Sequence, residues 1–174
     1  MPTYECAECG FGFAEDPPAL VTKCGCFPLL VMEILESVTD EQVRRRPATG
    51  TWAPIEYAAH VADAVAWYTQ RVERVLQEAA PRLEPFDFDA AAEVQGYCRR
   101  NIGTVTTDVS RACAELADLA MRVGPVELRR CGRGSDGSPR SVASLLARAH
   151  HELVHHELDL RRGVELALPT LPRE

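Results

Sequence analysis

Two imidazoles four residues apart on a helix stand one above the other, so the run His151-Glu152-Leu153-Val154-His155 can offer two nitrogens to one ion. His60, about ninety residues upstream, can supply a third from a second helix. Three neutral nitrogens with an open coordination position make a catalytic type of metal centre. A second set of donors lies near the start of the chain. Cys6-x-x-Cys9-Gly10-Phe11 reads as a tight knuckle, with glycine permitting the turn after the second thiol. With Cys24 and Cys26 it could close a tetrahedral zinc site; a reactive dithiol and inert thiols are the rival readings. Cys98, Cys113 and Cys131 read as small core or loop residues.

Such donors need rigid elements behind them. Pro54 at a first helical position and Glu56 in the first turn open a strong helix to about Ala79. Its apolar stripe is Ala58, Val61, Ala62, Val65, Tyr68, Val72, Val75 and Leu76, and His60 stands off that stripe with Glu56, Ala64, Trp67 and Arg71. Ser141 caps a further helix ending at Gly163, with Val142, Leu145, Leu146, Ala149, Leu153 and Leu160 on one side and His151 and His155 nearly opposite. Ser144, Arg148 and Arg162 share the histidines' sector, which fits a solvated polar face; flanking Ala147, Val154 and Leu158 fit a half-buried cleft wall. Another long helix carries Val105, Val109, Ala112, Cys113, Leu116, Leu119 and Val123 and stops at Gly124-Pro125.

Shorter signals fill in the rest. A first helical stretch runs near Phe27 to Glu36, its start obscured by Gly25 and Pro28. Thr39 and Gln42 form a capping box, a short helix is expected around Ala90 to Arg99, and Cys131 to Pro139 reads as loop. No convincing β alternation and no repeat appear in the main body. The expected fold is therefore all-α: a four-helix bundle over residues 20–165, a cysteine-containing extension over 1–19, and a tail over 166–174, frayed from Pro169 onward.

Composition bounds the function. In 174 residues, 46% apolar content suffices for one core, and a formal charge of -7 argues against sequence-independent nucleic-acid binding. No basic-then-apolar leader opens the chain and no apolar run approaches the roughly 18 to 20 residues that span a bilayer, so a cytoplasmic protein with no membrane partner is expected. Seven cysteines, an odd number, favour thiols or metal ligands over a disulfide framework.

The stretch Thr51-Trp52-Ala53-Pro54-Ile55-Glu56-Tyr57-Ala58-Ala59-His60-Val61, followed by His151-Glu152-Leu153-Val154-His155-His156-Glu157-Leu158-Asp159-Leu160, resembles the DinB superfamily across most of residues 20–163. That group includes mycothiol- and bacillithiol-dependent transferases and a mycothiol-dependent maleylpyruvate isomerase. The resemblance implies a DinB-type four-helix bundle with a divalent ion at one end, its ligands carried over here onto His60, His151 and His155. It also implies a low-molecular-weight thiol as co-substrate, with S-transfer or thiol-assisted isomerisation of an electrophilic small molecule as the reaction. Zinc heads the expected metals, with nickel, iron and manganese as alternatives, because imidazole does not choose sharply among them. A homodimer is a further expectation.

Other residues take lesser roles. Glu152 is a candidate proton acceptor or ligand-orienting group, or else an ordinary helix-surface glutamate; His156 falls on the apolar side and reads as a core histidine, while His150 is left as a non-ligand. Asp159 is expected to orient a neighbour. The same five letters match the zinc-protease motif H-E-x-x-H, but only 19 residues follow His155 and no strand pattern accompanies it, which disfavours a peptidase. The competing functions are a metal-dependent hydrolase and a non-catalytic metal-binding or stress-response bundle.

Overall fold

The structure is a computed structural model that describes residues 5–13 and 16–167. Its elements follow in the order α1 (Pro17–Glu36), α2 (Asp40–Arg44), α3 (Pro54–Gln77), β1 (Arg82–Leu83), α4 (Phe88–Val94), α5 (Ile102–Arg122), β2 (Cys131–Gly134), β3 (Pro139–Ser141) and α6 (Val142–Ala167). The four long helices form the bundle. Both α1 and α3 pack against α5 and α6, so α1 and α3 occupy one diagonal of a square. The apolar stripes of α3, α5 and α6 meet at its centre, where Phe27 of α1, Leu116 of α5 and Leu153 of α6 are fully buried. Burial of each such side chain contributes about 2 kcal/mol.

The first helix is a full turn and more longer than its sequence signals indicate. Asp16 accepts from the Ala19 N–H at 3.0 Å, and Pro17 and Pro18 occupy the first helical positions, where no intrahelical donor is needed. Pro28 lies inside the helix. Its local cost is offset by the buried stripe Leu20, Cys24, Phe27, Val31, Ile34 and Leu35, which packs on α5 and α6. By length and composition α1 is apolar enough to cross a membrane, contrary to the expectation that no segment is. One side of it forms a wall of the bundle, while Leu29 and Met32 on the other side are exposed.

The same extension separates the two cysteine pairs. Cys24 and Cys26 are two positions apart on a helix, about 200° around its axis, so they point to opposite sides. Cys24 is buried beside Cys113 of α5, whereas Cys26 is exposed and its thiol turns back to the Lys23 carbonyl at 3.4 Å. The expected four-cysteine zinc site with Cys6 and Cys9 therefore does not assemble.

Two further differences are local. The segment expected as loop forms a hairpin: β2 pairs antiparallel with β3 through a turn at Asp136-Gly137, and β1 joins β2 in parallel. These strands are too short and too rich in Gly, Arg and Pro to show a period-2 pattern. The last helix runs past Gly163 to Ala167. Gly163 is a point of close approach; a Cβ there would sit 3.1 Å from the Pro54 ring at the start of α3. The tail expected to fray from Pro169 to Glu174 lies outside the described residues.

Candidate metal centre

Facing flanks of α3 and α6 bring three donors together: His60, Glu152 and His156. His60 is only 5% exposed, and its Nε2 lies 3.4 Å from Glu152 Oε2; His156 Nε2 lies 3.3 Å from the same oxygen. One ligand atom from each of the three falls within 4.8 Å of the others. The two histidine rings meet edge to face at 4.7 Å between centroids. Asp159, three residues beyond His156, lies 2.8 Å from its Nδ1 and so leaves Nε2 directed at Glu152.

The electrostatics follow from this packing. Burial alone would raise the Glu152 pKa, but hydrogen bonds from His156 and His60 outweigh it and hold the carboxyl at about 2. Burial would lower the His156 pKa, yet Asp159 and Glu152 push it up to about 9. The group is thus a carboxylate clasped between two imidazoles. An aromatic wall surrounds it: Trp52 and Phe88 contact His60 at 5.2 and 4.8 Å between ring centroids, and Tyr57 lies 5.5 Å from His156.

The expected trio of His60, His151 and His155 is thereby divided. His151 and His155 occupy the adjoining flank of α6, where they meet Cys6 and Cys9 of the N-terminal segment, again with one ligand atom each within 4.8 Å. The reason is helical: adjacent positions are about 100° apart, so the 151/155 pair and the 152/156 pair face different neighbours. His156 is largely buried with both ring nitrogens partnered, as a core histidine would be, but its partners are Asp159 and Glu152, which place it beside His60. The sequence signal for it was present in the i, i+4 spacing of Glu152 and His156 and in Asp159 one turn further on.

The N-terminal segment folds as the glycine suggests. Gly10 adopts φ +71°, its N–H donates to the Cys6 carbonyl at 2.8 Å, and the Cys6 N–H donates to the Phe11 carbonyl at 2.9 Å. Backbone N–H groups of Cys9 and Glu8 draw the Cys6 thiol down to about 7, while burial pushes Cys9 up. Phe11 and Phe13 lean on the α6 rings, Phe11 at 4.9 Å from His150 and Phe13 at 5.0 Å from His151.

A cavity of about 220 Å³ opens along the same α3–α6 groove, lined in part by Trp67, Arg71, Arg140 and Arg148. Arg148 stands one turn before Glu152, and Trp67 about two turns after His60. Arg71 is 7% exposed and stacks at 3.5 Å on Trp67, and its Nε has no hydrogen-bond partner among the described residues. Burial lowers its pKa. A buried guanidinium with an unsatisfied donor at a cavity wall is suited to an anion.

A family model described as the DinB superfamily matches residues 30–159. Among solved structures, YfiT from Bacillus subtilis, described as a probable metal-dependent hydrolase with an unusual four-helix bundle topology, is similar with a TM-score of 0.72. The match covers 85% of this chain and 87% of that one at 18% sequence identity, a likeness of fold. The sequence matches no curated protein.

Proposed function

This chain belongs to the DinB superfamily, and from that premise we propose that it is a metal-dependent enzyme whose ion is held by His60, Glu152 and His156. The observation that carries the reading is the convergence of those three donors from two helices onto one point. Two imidazole nitrogens and an ionised carboxylate fit a divalent ion and leave coordination positions for substrate. When bound, such an ion lowers the pKa of a coordinated thiol or water and polarises a substrate oxygen.

The chain's own residues supply the rest. Asp159 fixes the orientation of the His156 ring, and the Trp52, Tyr57 and Phe88 wall keeps the donors out of bulk water. Arg71 and Arg148 offer a cationic cavity wall to a substrate carboxylate within an otherwise acidic protein, beside Arg140, which pairs with Asp136. The substrate class we assign is a small anionic electrophile. The nucleophile is a low-molecular-weight thiol, in keeping with the resemblance of both histidine motifs to the thiol-dependent transferases and isomerase. Its sulfur bonds to the electrophilic carbon as that carbon's bond to a leaving group such as bromide breaks, or, in an unsaturated acceptor, as the π pair shifts to the neighbouring atom and is protonated there; the thiol proton passes to solvent.

A second reading, hydrolysis by activated water, is favoured by the description of the similar Bacillus subtilis protein. Protein loaded in turn with zinc, nickel, iron or manganese and mixed with mycothiol and monobromobimane separates the two. Metal-dependent thiol loss above the protein-free control supports transfer. Loss equal to that control across metals and acceptors, with metal-dependent cleavage of ester or amide substrates, replaces transfer by hydrolysis.

A further inference from the structure

We propose that Cys6, Cys9, His151 and His155 form a second metal site, a closed Cys2His2 zinc site that fastens the N-terminal segment to the outer flank of α6. One ligand atom from each of the four lies within 4.8 Å of the others. Cys6 Sγ is 3.7 Å from His155 Nδ1, close to the roughly 3.5 Å edge of a tetrahedron built from Zn–S bonds of about 2.3 Å and Zn–N bonds of about 2.0 Å. Both pairs have chelating spacings. The knuckle turn at Gly10 sets the two thiols side by side, and the helical i, i+4 step sets the two rings one above the other.

The surroundings of the rings suit ligation. With Nδ1 of His155 turned to sulfur, its Nε2 faces the carboxylates of Glu8 and Asp159 at 3.4 and 3.6 Å, the second-layer arrangement that orients a metal-bound imidazole. His151 carries a buried Nε2 without a hydrogen-bond partner among the described residues. Two thiolates neutralise a dication, and four protein donors leave no position for substrate, which marks the site as structural. The need is also evident: residues 5–13 have no buried hydrophobic side chain of their own and touch α6 through Phe11 and Phe13.

The test uses the full chain loaded with zinc alone or cobalt(II) alone, with metal counted per chain and the sulfur-to-cobalt charge-transfer band recorded. Wild type is expected to show that band. It should vanish in Cys6→Ser/Cys9→Ser and weaken in His151→Ala, with one zinc lost per chain and circular dichroism unchanged. His60→Ala and Cys24→Ser/Cys26→Ser should both keep the band. Absence of the band in cobalt-loaded wild type overturns the proposal without recourse to any variant, as does its persistence in Cys6→Ser/Cys9→Ser or its loss in Cys24→Ser/Cys26→Ser. A band present in a chain binding only one metal would sustain this site and remove the ion from His60, Glu152 and His156.

Discussion

At the scale of single residues, Glu152 carries the most weight, because its carboxylate is shared by His60 and His156. Glu152→Gln keeps the size but removes the charge that an ion requires; metal content should fall by one equivalent and turnover by at least about 100-fold, checked by metal analysis beside steady-state assays. Asp159→Asn should act more mildly, weakening metal affinity about 10- to 100-fold in a competition titration with a chelator, since it orients a ligand without being one. Arg71→Gln should raise KM for an acidic substrate by about tenfold or more and leave KM for a neutral analogue unchanged. The sequence marks His60 as a candidate donor, and the structure gathers it with Glu152 and His156 instead of with His151 and His155. Both pairs on α6 satisfy the same i, i+4 rule, and only the identity of the segment that each faces separates them. The nearest local hint was the stripe of Ala149, Leu153 and Leu160, which sets Glu152 and His156 at its edge and the other pair opposite.

At the scale of elements, the site depends on where α3 begins. Glu56, 2% exposed, accepts from the Ala53 N–H at 2.9 Å and pairs with Arg46 at 2.6 Å, anchoring the turn that leads to His60. Burial raises its pKa, but Arg46 and the Ala53 N–H outweigh that and hold it below the usual carboxylate range. The stabilisation is thus complete above the unfolded value of about 4.3 and is lost as pH falls through the lower folded one. Glu56→Gln should cost about 2 kcal/mol near neutrality and progressively less in acid, measured by chemical denaturation across pH. Helices α3, α5 and α6 were legible because each carries a continuous stripe of buried apolar residues at helical spacing. The first helix was read too short, since Gly25 and Pro28 are local breakers whose effect is overridden by packing against α5 and α6. The hairpin left no readable pattern, for its strands, Cys131–Gly134 and Pro139–Ser141, are too short and too rich in Gly, Arg and Pro to alternate.

At the scale of the whole molecule, chelation should lower the thermal midpoint, because ions that bind only the folded chain stabilise it; at a thousandfold excess over Kd each contributes about 4 kcal/mol. Scanning calorimetry with and without chelator reads this directly, and an unchanged midpoint would contradict it. One further consequence belongs to Asp159, whose Oδ2 lies 2.8 Å from His156 Nδ1 and 3.6 Å from His155 Nε2. A single oxygen therefore stands between rings on the two flanks of one rod, one from each proposed metal site. Filling either flank withdraws electron density from the acceptor that the other also uses, so the two ions are expected to load as correlated events.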